Sequence, residues 1–205
     1  MTRQYTSLTL EFDTELSTIP HYQLYPEMMV AVGTSFTTSP VRLLVLGESH
    51  YLDVPEHSNH PELWYGSRTL IHRESVRNLH TRGIVDNAIN GRSPSRSKAI
   101  YHALGSALAQ CGMTPPGARS ALQAVAFMNF FQRPAEVSGR SVRVHPTDVT
   151  EAARTITAVA KTLKPNLIVF ASRLGWKHAQ AGLAQELRAI GIPVAGVPHP
   201  ATSWW

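Results

Sequence analysis

The chain has 205 residues, one cysteine, 43% apolar residues and 16% charged ones. That length fits one domain spanning 1–205, and the lone Cys111 excludes an intramolecular disulfide and any four-cysteine zinc or iron–sulfur site. The net charge is +5, with fifteen arginines to four lysines. The charge concentrates in residues 67–119, where eight basic side chains (Arg68, Arg73, Arg77, Arg82, Arg92, Arg96, Lys98, Arg119) face two acids (Glu74, Asp86). Such a segment is either an electrostatic footprint for a phosphate-bearing partner or a solvated helical surface. No run reaches the ~20 apolar residues of a membrane span, and the N-terminus lacks the apolar core of a signal peptide. A cytoplasmic chain without membrane contact is expected.

Residues 1–40 have weak periodicity and read as an N-terminal extension packed on the core: a strand near 7–12, a loop and a short helix. Arg42–Leu46 (RLLVL) is short, apolar and β-rich, and reads as a buried strand that Gly47 ends. Residues 48–65 hold Pro55 and Pro61 and read as a long loop. Residues 67–81 and 96–111 read as helices. The second places Ile100, Leu104, Ala107, Leu108 and Cys111 on one face. TPPG at 114–117 breaks the chain, and Ala124–Asn129 is the second strand. After a polar loop over 130–145, Pro146-Thr147-Asp148 opens a helix that Lys164-Pro165 stops. Asn166–Ala171 is the third strand, 173–189 a helix, and Pro193–Val197 the fourth strand. Apolar strands alternating with helices predict an α/β fold with a parallel sheet covered on both faces.

In such sheets ligands bind beyond the carboxyl ends of the strands. Three reactive side chains, Glu48, Ser49 and His50, follow the first strand. They suit holding a water or substrate, or else capping the next element. Asn129 closes the second strand inside the apolar stretch FMNFF, and a buried amide must satisfy both donor and acceptor, with backbone or with a ligand edge. His199 stands between Pro198 and Pro200, whose fixed φ stiffens the loop. Trp64, Tyr65, Phe130, Trp204 and Trp205 fall in loops beside these positions, where aromatic rings can stack on bases or simply pack.

Taken in order, LLVLGESHY, AFMNFFQRP, KPNLIVFASRLGWKHA and VPHPATS resemble the motif series of the uracil-DNA glycosylase superfamily over roughly residues 41–202. The resemblance implies a three-layer α/β/α sandwich with a central four-stranded parallel sheet. It implies a DNA-repair hydrolase that excises a flipped-out uracil or related damaged base. By the same resemblance Glu48, Ser49, His50 and His199 are the catalytic set. Asn129 reads the base edge, with Trp64, Tyr65 or Phe130 against the base. DNA contacts fall to Arg140, Arg143, His145, Arg173, Thr202 and Trp204. Trp204 or Trp205 takes the place of a wedge, and His145 that of a histidine that captures the sugar covalently in one branch. No metal and no cofactor is implied, the cluster cysteines being absent, and a monomer is expected. Two alternatives stay open: a nucleic-acid or nucleotide-binding module of the same fold without activity, and a serine hydrolase using Ser49, Asp148 and His199 in the Ser…Asp…His order.

Overall fold

A computed structural model describes residues 5–51, 60–67, 73–92, 95–136 and 140–200. Five strands make one mixed sheet: β1 (Ala31–Val32), β2 (Leu43–Gly47), β3 (Val125–Asn129), β4 (Leu167–Phe170) and β5 (Val194–Gly196). Their spatial order is β1-β3-β2-β4-β5. The last four are parallel, with Leu43 opposite both Val125 and Leu167. The expected sheet of four parallel strands is thereby corrected, because β1 adds an antiparallel edge beside β3. Two paired residues are too short to show alternation in sequence, but they cover an edge that would otherwise stay open. The strand expected near 7–12 shrinks to one bridge between Leu8 and Gly33, because α1 (Asp13–Leu16) begins at once.

Every residue of β2 is buried, as a strand covered on both faces requires. Leu44, Leu46, Ala126, Met128, Ile168 and Phe170 point to one face. There they meet α7 (Pro146–Leu163), α8 (Arg173–Ala179) and α9 (Leu183–Ala189), with α1 and α2 (Pro20–Leu24) alongside. Leu43, Val45, Val125 and Phe127 point to the other, where α5 (Thr81–Ile89) and α6 (Ser95–Gln110) supply Val85, Ile89, Leu104 and Leu108. Helix α7 has the predicted limits. His145 caps it, Pro146 takes the first position, and Lys164 ends it in the left-handed region (φ 48°) before Pro165.

Three local expectations change. The loop over 48–65 contains α3 (Pro61–Gly66), opened by a proline at its first position. The helical region after residue 67 divides into α4 (Arg73–Leu79) and α5. The single helix over 173–189 is two, because the chain turns at Gln180–Gly182 between α8 and α9. Among the described residues no helix is long and apolar enough to cross a membrane.

Candidate active site at the carboxyl ends of the strands

The chain leaves β2 toward β3 on one side and leaves β4 toward β5 on the other. The crevice between the ends of β2 and β4 is therefore the topological switch point, where open α/β sheets bind ligands. Glu48 follows β2 and Ser172 follows β4. The Ser172 hydroxyl donates to Glu48 Oε2 at 3.1 Å and accepts from the Gly175 amide at 3.0 Å. Ser172, fully buried, thus caps α8 and fixes the carboxylate in one act. Ser172-Arg173 is among the strand-end positions to which the sequence directs the search for chemistry, but the sequence gives Ser172 no role. Its signal was a serine between a strand and a helix, three residues before a glycine.

Asn129, half-buried at the end of β3, lies across β2. A Cβ on Gly47 would stand 2.5 Å from Asn129 Oδ1 and 2.9 Å from Phe127 Cζ. Only glycine at 47 leaves the amide in that place. Among the described residues the Asn129 side chain has no hydrogen-bond partner. Three residues on, the Gln132 Nε2 donates to the carbonyls of Asn129 at 2.6 Å and Phe130 at 3.1 Å. His199, after β5, is half-buried. Burial lowers its pKa below the ordinary 6.5, and the charge of Glu48, within electrostatic reach, pulls the other way.

The segment after β2 is laced to the segment after β3. Phe130, Phe131 and Ala135 amides donate to the carbonyls of Gly47, Glu48 and His50 at 2.8–3.0 Å. This lacing buries Ser49 and His50. The Ser49 hydroxyl is buried without a hydrogen-bond partner among the described residues. His50 is occupied by the protein itself: Nδ1 donates to the Asn78 carbonyl and Nε2 accepts from the Thr81 hydroxyl, both at 3.0 Å. Its catalytic assignment is corrected to a structural one. Tyr51 lies within electrostatic reach of Glu48; burial and then that charge raise its pKa.

The aromatic assignments change as well. Trp64 is fully buried, stacked on Tyr25 with centroids 4.2 Å apart, and donates Nε1–H to the Gln132 carbonyl at 2.8 Å. Phe130 is packed among Phe131, Phe170 and Gly175. Neither ring has a face open to a base. Tyr65 donates its hydroxyl to Asp148 Oδ1 at 3.0 Å.

Asp148 and Arg133 form a buried pair, with neither side chain exposed. Arg133 Nε donates to Asp148 Oδ1 at 2.7 Å and Nη2 to Oδ2 at 3.0 Å. Nη2 also donates to the Arg143 carbonyl at 2.7 Å, and Nη1 pairs with Glu136 at 2.8 Å. The His145 amide donates to Asp148 Oδ2 at 2.8 Å. With its oxygens taken, Asp148 does not serve His199, and among the described residues Ser49 has no hydrogen bond to any base. The Ser49–Asp148–His199 hydrolase triad is not assembled. His145 Nδ1 is turned to Thr147, 3.0 Å from its hydroxyl, in the capping box of α7. Through Nδ1 the ring caps the helix.

Arg140, Arg143 and Arg173 are exposed. Thr202, Trp204 and Trp205 lie outside the described residues. The basic segment is not one face. Arg82 is buried and pairs with Asp13 at 2.7 Å, and Arg92 pairs with Asp86 at 3.2 Å. Arg119 donates to Asn90 at 2.9 Å. Among the described residues no three His, Cys, Asp or Glu side chains converge as a metal site. No protein-family model matches the sequence, and no curated protein matches it significantly.

Proposed function

We propose that the chain is a DNA N-glycosylase of the uracil-DNA glycosylase type, a three-layer α/β/α sandwich acting in base excision. It would hydrolyse the N-glycosidic bond of a flipped-out uracil or related damaged base. The observation that carries this reading is an acid, an imidazole and an amide without a hydrogen-bond partner among the described residues, all at the ends of parallel strands: Glu48, His199 and Asn129. The ordered resemblance of the four motifs supports it.

Cleavage of the bond leaves positive charge on the sugar and negative charge on the base. Burial keeps His199 neutral at pH 7, so it donates an N–H hydrogen bond to the anion rather than a proton. Loss of one such donor costs about 2.7–4 kcal/mol of barrier. Glu48, aimed by Ser172, orients the attacking water or offsets the cationic sugar. The Asn129 amide offers a donor to uracil O4 and an acceptor to N3–H. Cytosine presents a donor at its 4-position and loses that match.

A second reading, a binding module of the same fold without excision, draws on Ser49. Its hydroxyl is a poor base and is buried, so water activation rests on Glu48 alone. One experiment separates the two. A labelled oligonucleotide with a single uracil is incubated with the protein, treated with alkali and run on a denaturing gel. Strand breaks that vanish in His199→Ala support excision. No product from uracil, hypoxanthine or xanthine DNA, with DNA affinity intact in Glu48→Ala, supports the module.

A further inference from the structure

Beside the crevice, between α8 and the end of β5, lies a cleft of about 290 Å³. Its walls are Arg173, Trp176 and Lys177 on α8, Gln180 just after it, and the chain from Gly196 to Pro198. Ligand pockets run from about 300 to 1,000 Å³, so this volume suits one small group rather than a whole cofactor. No acidic residue lines it.

The side chains form a row of donors. Arg173 and Lys177 are four residues apart, hence on one face of the helix, with Trp176 between them. Both are exposed and neither forms an ion pair among the described residues. The Trp176 indole N–H has no acceptor among the described residues. The Arg188 guanidinium of α9, which does not line the cleft, stands 5.9 Å from the Trp176 ring centroid. The ring occupies the place a Cβ on Gly196 would need, so the glycine lets the indole lie against β5. A guanidinium, an ammonium, an indole N–H and the Gln180 amide, with no carboxylate among them, fit an oxyanion.

The position of the cleft says which one. Arg173 follows Ser172, the residue that holds Glu48, and Pro198 precedes His199. The cleft and the crevice therefore share one rim of backbone. We infer that the cleft binds the phosphodiester next to the flipped nucleotide, on the same DNA strand, through Arg173, Lys177 and Trp176. This inference rests on the base-excision reading above, and it adds Trp176, Lys177 and Gln180 to the DNA surface.

The test measures binding without base release. Fluorescence polarisation follows a labelled single strand carrying one uncleavable tetrahydrofuran abasic analogue, over a salt series. Wild type is compared with Arg173→Ala/Lys177→Ala, with the charge-keeping Arg173→Lys/Lys177→Arg, and with Lys161→Ala on the exposed side of α7 as a control for net charge. Removing one phosphate contact should shrink the slope of log K against log salt by about 0.7. Affinity at low salt should fall about tenfold, while the charge-keeping variant and Lys161→Ala stay near wild type. Circular dichroism checks that the variants fold. Equal affinity and slope in the alanine double variant overturn the cleft and leave the excision reading standing. Failure of the wild type to bind overturns both. An alanine double variant that loses binding of inorganic phosphate yet keeps the wild-type affinity and slope for the strand marks a free-anion site and overturns the strand assignment.

Discussion

Asn129 closes β3, Arg133 lies four residues on in the segment that follows, and the two meet opposite fates. Around Arg133 each polar group has a partner. Its guanidinium reaches Asp148, Glu136 and the Arg143 carbonyl, and Asp148 also takes the Tyr65 hydroxyl and the His145 amide. Among the described residues two polar groups in the segments that follow β2 and close β3 are left over: the Asn129 amide, and the buried Ser49 hydroxyl next to Glu48 in sequence. A saturated buried network holds shape. Buried or half-buried polar groups without partners cost free energy, and they are retained where a ligand can supply the missing bonds. The contrast divides this stretch of chain into a scaffold and a site.

The largest expected effect falls on the scaffold. Arg133→Ala or Asp148→Ala leaves the other charge buried alone, which costs about 3–5 kcal/mol. Urea unfolding should show it. The double replacement Arg133→Met/Asp148→Leu should cost less than the two single losses together. At the site, His199→Ala should slow base release by a factor on the order of 10²–10³, with the melting temperature unmoved.

A third effect follows from His50, whose pKa burial lowers to about 4 against an ordinary 6.5. The unfolded chain binds this proton first, so stability is full above pH 6.5 and declines as pH falls from 6.5 toward 4. At about 1.36 kcal/mol per pKa unit the loss approaches 3 kcal/mol. Stability measured over that pH range should flatten in His50→Gln. A slope that persists unchanged would place the acid sensitivity elsewhere, for example on His21, which burial lowers to about 3. The smallest effect tests the border between the two regions. Gly47→Ala pushes on the Asn129 amide, and a tight insertion of this kind costs about 1–3 kcal/mol. Release should fall while the Arg133 network keeps its part of the stability.

Much of this division was legible in the sequence. The four parallel strands and α7 announced themselves through apolar runs and through Pro146, Lys164 and Pro165. Because ligands gather at strand ends, Glu48, Asn129 and His199 could be named before any contact was known. The aromatic assignments failed for a physical reason. Trp64 and Phe130 carry the same chemistry whether they meet a base or the protein's own rings, and what buries them is distant in sequence: Tyr25 of the N-terminal extension for Trp64, and Phe170 and Gly175 for Phe130. His50 failed likewise, since its partners Asn78 and Thr81 lie about thirty residues away. β1 escaped because two residues carry no period.

The most direct test of the division pairs one variant from each side. Single-turnover release of uracil from a labelled oligonucleotide and thermal unfolding are measured for wild type, Asn129→Ala and Arg133→Ala. Asn129→Ala should keep the melting temperature within about 2 °C and lose release by at least a hundredfold, while Arg133→Ala should lose stability first. An Asn129→Ala protein that unfolds readily yet releases uracil at the wild-type rate would contradict the assignment of that amide to the ligand.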